Sequence, residues 1–196
     1  MQVIARARLP EETVTQARFL LGRLVVRRLP EGLAAGRIVE TEAYPPGDAA
    51  LHAWRGMTRR NRSLFLPHGH AYVYVCYGTA MMLNVSSEPG GVGAGVLIRA
   101  LAPVEGVALM AARRPGAKPR DLARGPGRLA AALGIDLALD GIDLCRDGAL
   151  FLAEDGAPTG EIGISTRIGI TRDAHRPLRF LVRGSPFLSG PRHLNL

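Results

Sequence analysis

Two glutamates, Glu40 and Glu42, stand two apart in the run Gly36-Arg37-Ile38-Val39-Glu40-Thr41-Glu42-Ala43, with Tyr44 and then His52 after them. Side chains alternate along an extended chain, so the two acids share a face. A carboxylate at a strand end beside Tyr44 and His52 could work as a general base. An exposed strand edge carrying the same two acids is the plainer alternative. Tyr72 and Tyr74 also share a face, as a pair that either packs into a core or offers its rings to a base. Tyr77 falls near the tip of the turn between two strand-like runs, Ala71–Cys76 and Met81–Ser86. The stretch from Pro45 to Pro67 has no clear period and holds Arg55, Arg59, Arg60 and Arg62. It reads as a surface loop with one helical turn, whose arginines either sit in solvent or grip phosphate through the planar guanidinium fork.

Other suggestive spacings carry less. Gly91-Val92-Gly93-Ala94-Gly95 precedes a strand, whereas a dinucleotide loop must follow one and open a helix. His52, His68 and His70 lack a neighbouring Asp or Cys to complete a ligand set, so neither a metal nor a cofactor is expected. Cys76 and Cys145 lack zinc-site spacing and read as buried thiols of a reducing compartment.

The elements that must hold these residues follow from periodicity and turn chemistry. Glu11–Leu21 reads as a helix, with two acids in its first turn and Gly22 at its end. Leu24–Val26 and Gly36–Ala43 flank the turn Pro30-Glu31-Gly32 as a hairpin, and Ala71–Cys76 with Met81–Ser86 makes a second. Val96–Leu101 is a further strand, Val104–Arg114 and Gly125–Gly134 are helical, and strands within Gly160–Ile170 and Leu178–Arg183 close the chain. Hairpins, then helices, then strands do not make a parallel βαβ pattern. The expected fold is α+β, one domain over residues 1–196, with a curved, mainly antiparallel sheet flanked by helices.

With 196 residues and 47% hydrophobic side chains, the composition excludes intrinsic disorder and collagen and suits one self-supporting core. No stretch approaches the ~18 apolar residues of a membrane span, and the N-terminus MQVIARARLP has no apolar targeting core. A cytoplasmic protein without a membrane partner is therefore expected. Lys118 is the only lysine among 25 cationic side chains, a bias that GC-rich coding explains. Such coding does not explain the net charge of +8, which favours a polyanionic partner.

The runs GRIVETEAY (36–44), DAALH (48–52), TRRNR (58–62), YVYVCYG (72–78), Leu83-Asn84-Val85, VLIRAL (96–101), GPGRL (125–129) and RFLVRGSP (179–186) together resemble the alkyladenine (3-methyladenine) DNA glycosylase family. The resemblance spans most of the chain in the family's order. It implies a monofunctional, monomeric base-excision repair enzyme that binds double-stranded DNA from the minor groove and flips out a damaged purine. On that likeness Glu42 matches the catalytic carboxylate, Arg99 the arginine that keeps it ionised, and the Ile168 carbonyl a contact to the attacking water. Tyr44, His52 and Tyr74 match the residues that sandwich the flipped base, its positive charge when alkylated strengthening the stacking. Asn84 matches the residue that collides with the 2-amino group of normal guanine. Tyr77 matches a wedge on a protruding, DNA-inserting hairpin. Arg59, Arg60 and Arg62 are expected to meet phosphates. Leu51, Trp54, Arg59, Thr79 and Ala80 depart from the family's usual residues. Two rival readings stand beside it: a catalytically silent nucleic-acid binding module, and a carbohydrate hydrolase using Glu40 and Glu42 across a sugar cleft.

Overall fold

The computed structural model describes residues 1–76 and 78–195. In chain order its elements are β1 (Gln2–Val3), α1 (Thr13–Leu20), β2 (Leu24–Leu29), β3 (Gly32–Tyr44), β4 (Ala71–Cys76), β5 (Ala80–Ser86), β6 (Gly95–Glu105), α2 (Val107–Arg113), α3 (Pro126–Ala132), β7 (Leu150–Glu154), β8 (Ile162–Ser165) and β9 (Arg179–Val182). Among the described residues the nine strands join one sheet in the order β1-β7-β2-β3-β6-β5-β4, with β9 also pairing with β3 and β8 pairing with β9. Every pairing of named strands is antiparallel. The α+β expectation holds at this level.

β3 organises the sheet. Its first half pairs with β2 and its last residues pair with β9 on the same edge, while β6 runs along the other edge for most of its length. Glu40, Thr41 and Glu42 therefore lie at the interior of the sheet rather than at a rim. The hairpin β2–β3 turns at Pro30-Glu31, and the hairpin β4–β5 pairs Tyr72 with Asn84 and Tyr74 with Met82. Apolar residues of α1, α3 and the inner sheet face, among them Leu20, Leu21, Ile38, Ile98, Leu101, Leu129 and Leu133, form the main core. Burying such side chains contributes roughly 1.5–3 kcal/mol each.

The element boundaries differ from expectation for identifiable reasons. α1 starts at Thr13 because the Glu12 carboxylate caps it from outside, accepting from the Val14 and Thr15 N–H groups at 2.8 and 2.7 Å. α2 starts late because β6 stays paired with β3 as far as Glu105. Gly106, at φ 65°, then turns the chain; a Cβ there would lie 2.2 Å from the Leu33 carbonyl. Among the described residues no helix is long and apolar enough to cross a membrane.

Candidate active site

Glu42 and Tyr44 close β3, the acid with no exposure and the tyrosine half-buried. The register between β3 and β6 steps from Glu40 opposite Ala100 to Thr41 opposite Ile98, leaving Arg99 as the extra residue of a bulge. Bulges re-aim side chains. This one lets Arg99 serve both acids, Nε meeting Glu40 Oε1 at 2.9 Å and Nη1 meeting Glu42 Oε1 at 3.2 Å. The remaining contacts of the two acids separate their roles. Glu40 Oε1 also accepts from Arg179 Nε at 2.8 Å and Ser189 Oγ at 2.9 Å, and its Oε2 accepts from the Ser189 N–H at 2.6 Å. Burial acts to raise the Glu40 pKa, but the Arg99 and Arg179 charges with these hydrogen bonds hold it below the ordinary carboxylate value. Glu40 is a clamp between strands and the C-terminal segment.

Glu42 shares Arg99 with Glu40 but has different remaining partners. Its Oε1 accepts from the Ile168 N–H at 2.8 Å and its Oε2 from the Tyr44 hydroxyl at 2.8 Å. Burial first, then the Glu42 charge, pushes the Tyr44 phenol far above its ordinary value, so the hydroxyl stays a donor. Both acids being buried on one arginine overturns the exposed-edge reading. It also removes the carbohydrate-hydrolase reading, which needs two carboxyls facing each other across an open cleft.

Tyr44 is also one wall of a cavity of about 300 Å³, with His52, Arg60, Tyr72, Tyr74, Asn84 and Ile170 among its lining. That is the small end of the range for ligand clefts, suited to a single heterocycle. The His52 and Tyr74 rings meet edge to face with centroids 4.5 Å apart, and Tyr72 stacks on Tyr74 at 5.2 Å. No ring fits between His52 and Tyr74, so together they form one wall. The Tyr72 hydroxyl lies 3.0 Å from His52 Nδ1. Burial, then the Arg60 charge, lowers the His52 pKa and keeps the imidazole neutral. Burial pushes the Tyr74 phenol up to about 12. Asn84 donates from Nδ2 to the Tyr72 carbonyl at 3.2 Å, which fixes its amide against the floor.

The loops that complete the cavity are tied down by residues the sequence did not single out. Asp48 accepts from the Ala50 N–H at 2.8 Å and pairs with Arg167 at 2.8 Å and Arg176 at 3.1 Å. Arg167, without exposure, donates to the Ala43 carbonyl at 3.1 Å and lies over the Tyr44 ring at 4.6 Å. Asn61 Nδ2 reaches the His52 and Gly56 carbonyls at 2.9 and 3.0 Å, closing the arginine loop on itself. Gly93 and Gly95 are packing residues, since a Cβ on Gly93 would lie 2.5 Å from the Phe65 ring and one on Gly95 2.8 Å from Leu64, whereas Gly91 faces open space at φ 93°.

The chain thus brings Tyr44, His52, Tyr74 and Asn84 to one cavity, and gathers Glu42, Arg99 and Ile168 behind Tyr44. At Ile168 the observed contact is made by the N–H, not the carbonyl. Arg60, though exposed, has its guanidinium over Tyr74 at the cavity wall, and Arg59, Arg62, Trp54 at 50% and Met57 are exposed in the same loop. The expected wedge, Tyr77, lies outside the described residues. Cys145 is buried as expected, but Cys76 is only half-buried and lines the cavity. His68 and His70 sit against Arg6 and Pro67, away from His52, and no three metal-capable side chains cluster among the described residues.

A family model for methylpurine-DNA glycosylase matches residues 7–186. Several relatives carry the name "Putative 3-methyladenine DNA glycosylase". One from Mesorhizobium japonicum is 66% identical, covering 97% of this chain and 92% of its own. Another from Paraburkholderia phytofirmans is 51% identical over 97% of this chain and 90% of its own. A third from Rubrobacter xylanophilus is 51% identical over 90% of this chain and 92% of its own.

Proposed function

The chain belongs to the methylpurine-DNA glycosylase family, and on that premise we propose that it flips an alkylated or deaminated purine nucleotide out of double-stranded DNA and hydrolyses its N-glycosidic bond. The carrying observation is a fully buried carboxylate, Glu42, joined through the Tyr44 hydroxyl to an aromatic cavity sized for one heterocycle. The flipped base stacks between Tyr44 and the His52–Tyr74 wall. Asn84, its amide fixed at the floor, rejects the 2-amino group of normal guanine by clash.

A water that takes the place of the Tyr44 hydroxyl on Glu42 Oε2 is aimed at the sugar C1′, with the Ile168 carbonyl as its second contact. Glu42 accepts its proton and faces the positive charge that grows on the sugar. Arg99 and the Ile168 N–H fix the other carboxylate oxygen, so the base is positioned before the substrate arrives. Tyr77, between Cys76 and Gly78 in the sequence, fills the gap left in the stack. Arg59 and Arg62 belong to the basic surface that meets phosphates, and Arg60, from the same loop, turns its guanidinium to the cavity wall over Tyr74. One chain provides every group invoked, in keeping with a monomer, and the substrate is the DNA of the cytoplasm.

Glu42→Gln keeps the shape and cannot take the proton. Single-turnover base release from a duplex with one defined lesion is expected to fall by about 10²–10⁴-fold while duplex binding is retained. Near-wild-type release would overturn the mechanism.

A further inference from the structure

The rings that receive the base already face cations on this chain. Arg167 lies over Tyr44 at 4.6 Å, buried outside the cavity and neutralised by Asp48. Arg60 differs from it. Its guanidinium carbon is 5.5 Å from the Tyr74 centroid, its hydrogen bond goes to the Val75 carbonyl at 3.1 Å, and it reaches the cavity itself. Among the described residues it is the only permanently charged side chain on the cavity wall. A ring that already attracts one cation offers a second one less, because the two positive charges repel at short range. Damaged purines differ in this respect: ring-nitrogen alkylation gives a cation, whereas deamination gives a neutral base.

The charge matters again when the bond breaks. The electron pair of the C1′–N bond goes to the purine, so a cationic lesion departs neutral, and an unprotonated neutral lesion departs as an anion. Water adds to C1′ and gives its proton to Glu42, so the balance is the same for both. A fixed positive charge stabilises the anionic leaving group and gives the neutral one nothing.

We propose, resting on the glycosylase reading above, that Arg60 is a specificity-determining residue that weights the reaction by lesion charge, hindering purines that dock as cations and assisting those that leave as anions. The neutral state of His52 is consistent with this, since Arg60 helps suppress a second positive charge on the same wall. Arg60 thus supplies for neutral lesions part of what a general acid would.

The test compares single-turnover base release from two duplexes identical except for the lesion, 7-methylguanine or hypoxanthine, with wild type, Arg60→Gln and Arg60→Lys. In Arg60→Gln the hypoxanthine-to-7-methylguanine rate ratio should fall about tenfold, a 1.4 kcal/mol change. Arg60→Lys, which keeps the charge, should restore most of it. An unchanged ratio, with both lesions slowed equally, would make Arg60 a backbone contact and overturn the proposal, as would a shift towards hypoxanthine. A wild type that releases neither base would instead overturn the glycosylase reading itself, whatever the variants do.

Discussion

At the scale of single residues, the nucleophile is constrained by what the chain lacks. A glycosylase that also cuts the backbone attacks C1′ with an amine and passes through a Schiff base. Lys118, the only lysine, is exposed ahead of the turn Pro119–Asp121 and lines no part of the cavity. Borohydride is therefore expected to trap no protein–DNA adduct, and the product strand should stay intact until heated or treated with alkali. An adduct abolished by Lys118→Ala would refute water as nucleophile. Much of this site was legible one residue at a time. Alternation along β3 put Glu40 and Glu42 on one face, and alternation along β4 put Tyr72 with Tyr74. What alternation could not give was the division of labour, because that depends on the bulge that makes Arg99 shared, and on Arg179 and Ser189, which approach Glu40 from far along the chain.

At the scale of elements, Glu40 is the tie between β3, β6, β9 and the C-terminal segment. Glu40→Gln leaves Arg99 and Arg179 buried with their shared counter-charge gone, a defect that costs about 3–5 kcal/mol. The same residue gives a pH signature. Its folded pKa lies below the unfolded value of 4.5, so its stabilisation is present above that value and lost as pH falls through the folded pKa. Denaturant titrations should show wild type well above the variant at neutral pH, and the gap should narrow in acid. An equal gap throughout would mean that Glu40 acts by shape alone. Sequence patterning located most elements and misjudged those with tertiary reasons for ending. β7, Leu-Phe-Leu-Ala-Glu, was missed because it is a continuous apolar run buried on both sides, without the alternation that marks a half-buried strand. The expected strand within Gly160–Ile170 stops at Ser165 because Arg167 and Ile168 leave the sheet to brace Tyr44 and Glu42.

At the scale of the whole molecule, the net charge of +8 has its clearest outlet in the exposed loop that carries Arg55, Arg59 and Arg62 beside the cavity mouth. Each phosphate neutralised contributes about −0.9 to the slope of log K against log[salt]. Three or more contacts give an expected slope of roughly −3 or steeper for binding to a lesion duplex. A flat response would assign these arginines to solvent and leave the cavity alone to hold the substrate.

That loop also carries Trp54, half-exposed and the chain's single tryptophan. With no second indole to overlap it, the protein's tryptophan emission reports on one place, the exposed loop two residues after His52 of the cavity wall. Docking of any duplex should alter that signal at once. Extrusion of a damaged nucleotide would add a slower phase that an undamaged duplex lacks. The molecule therefore carries its own clock for the steps before bond cleavage, readable by rapid mixing with no label on protein or DNA.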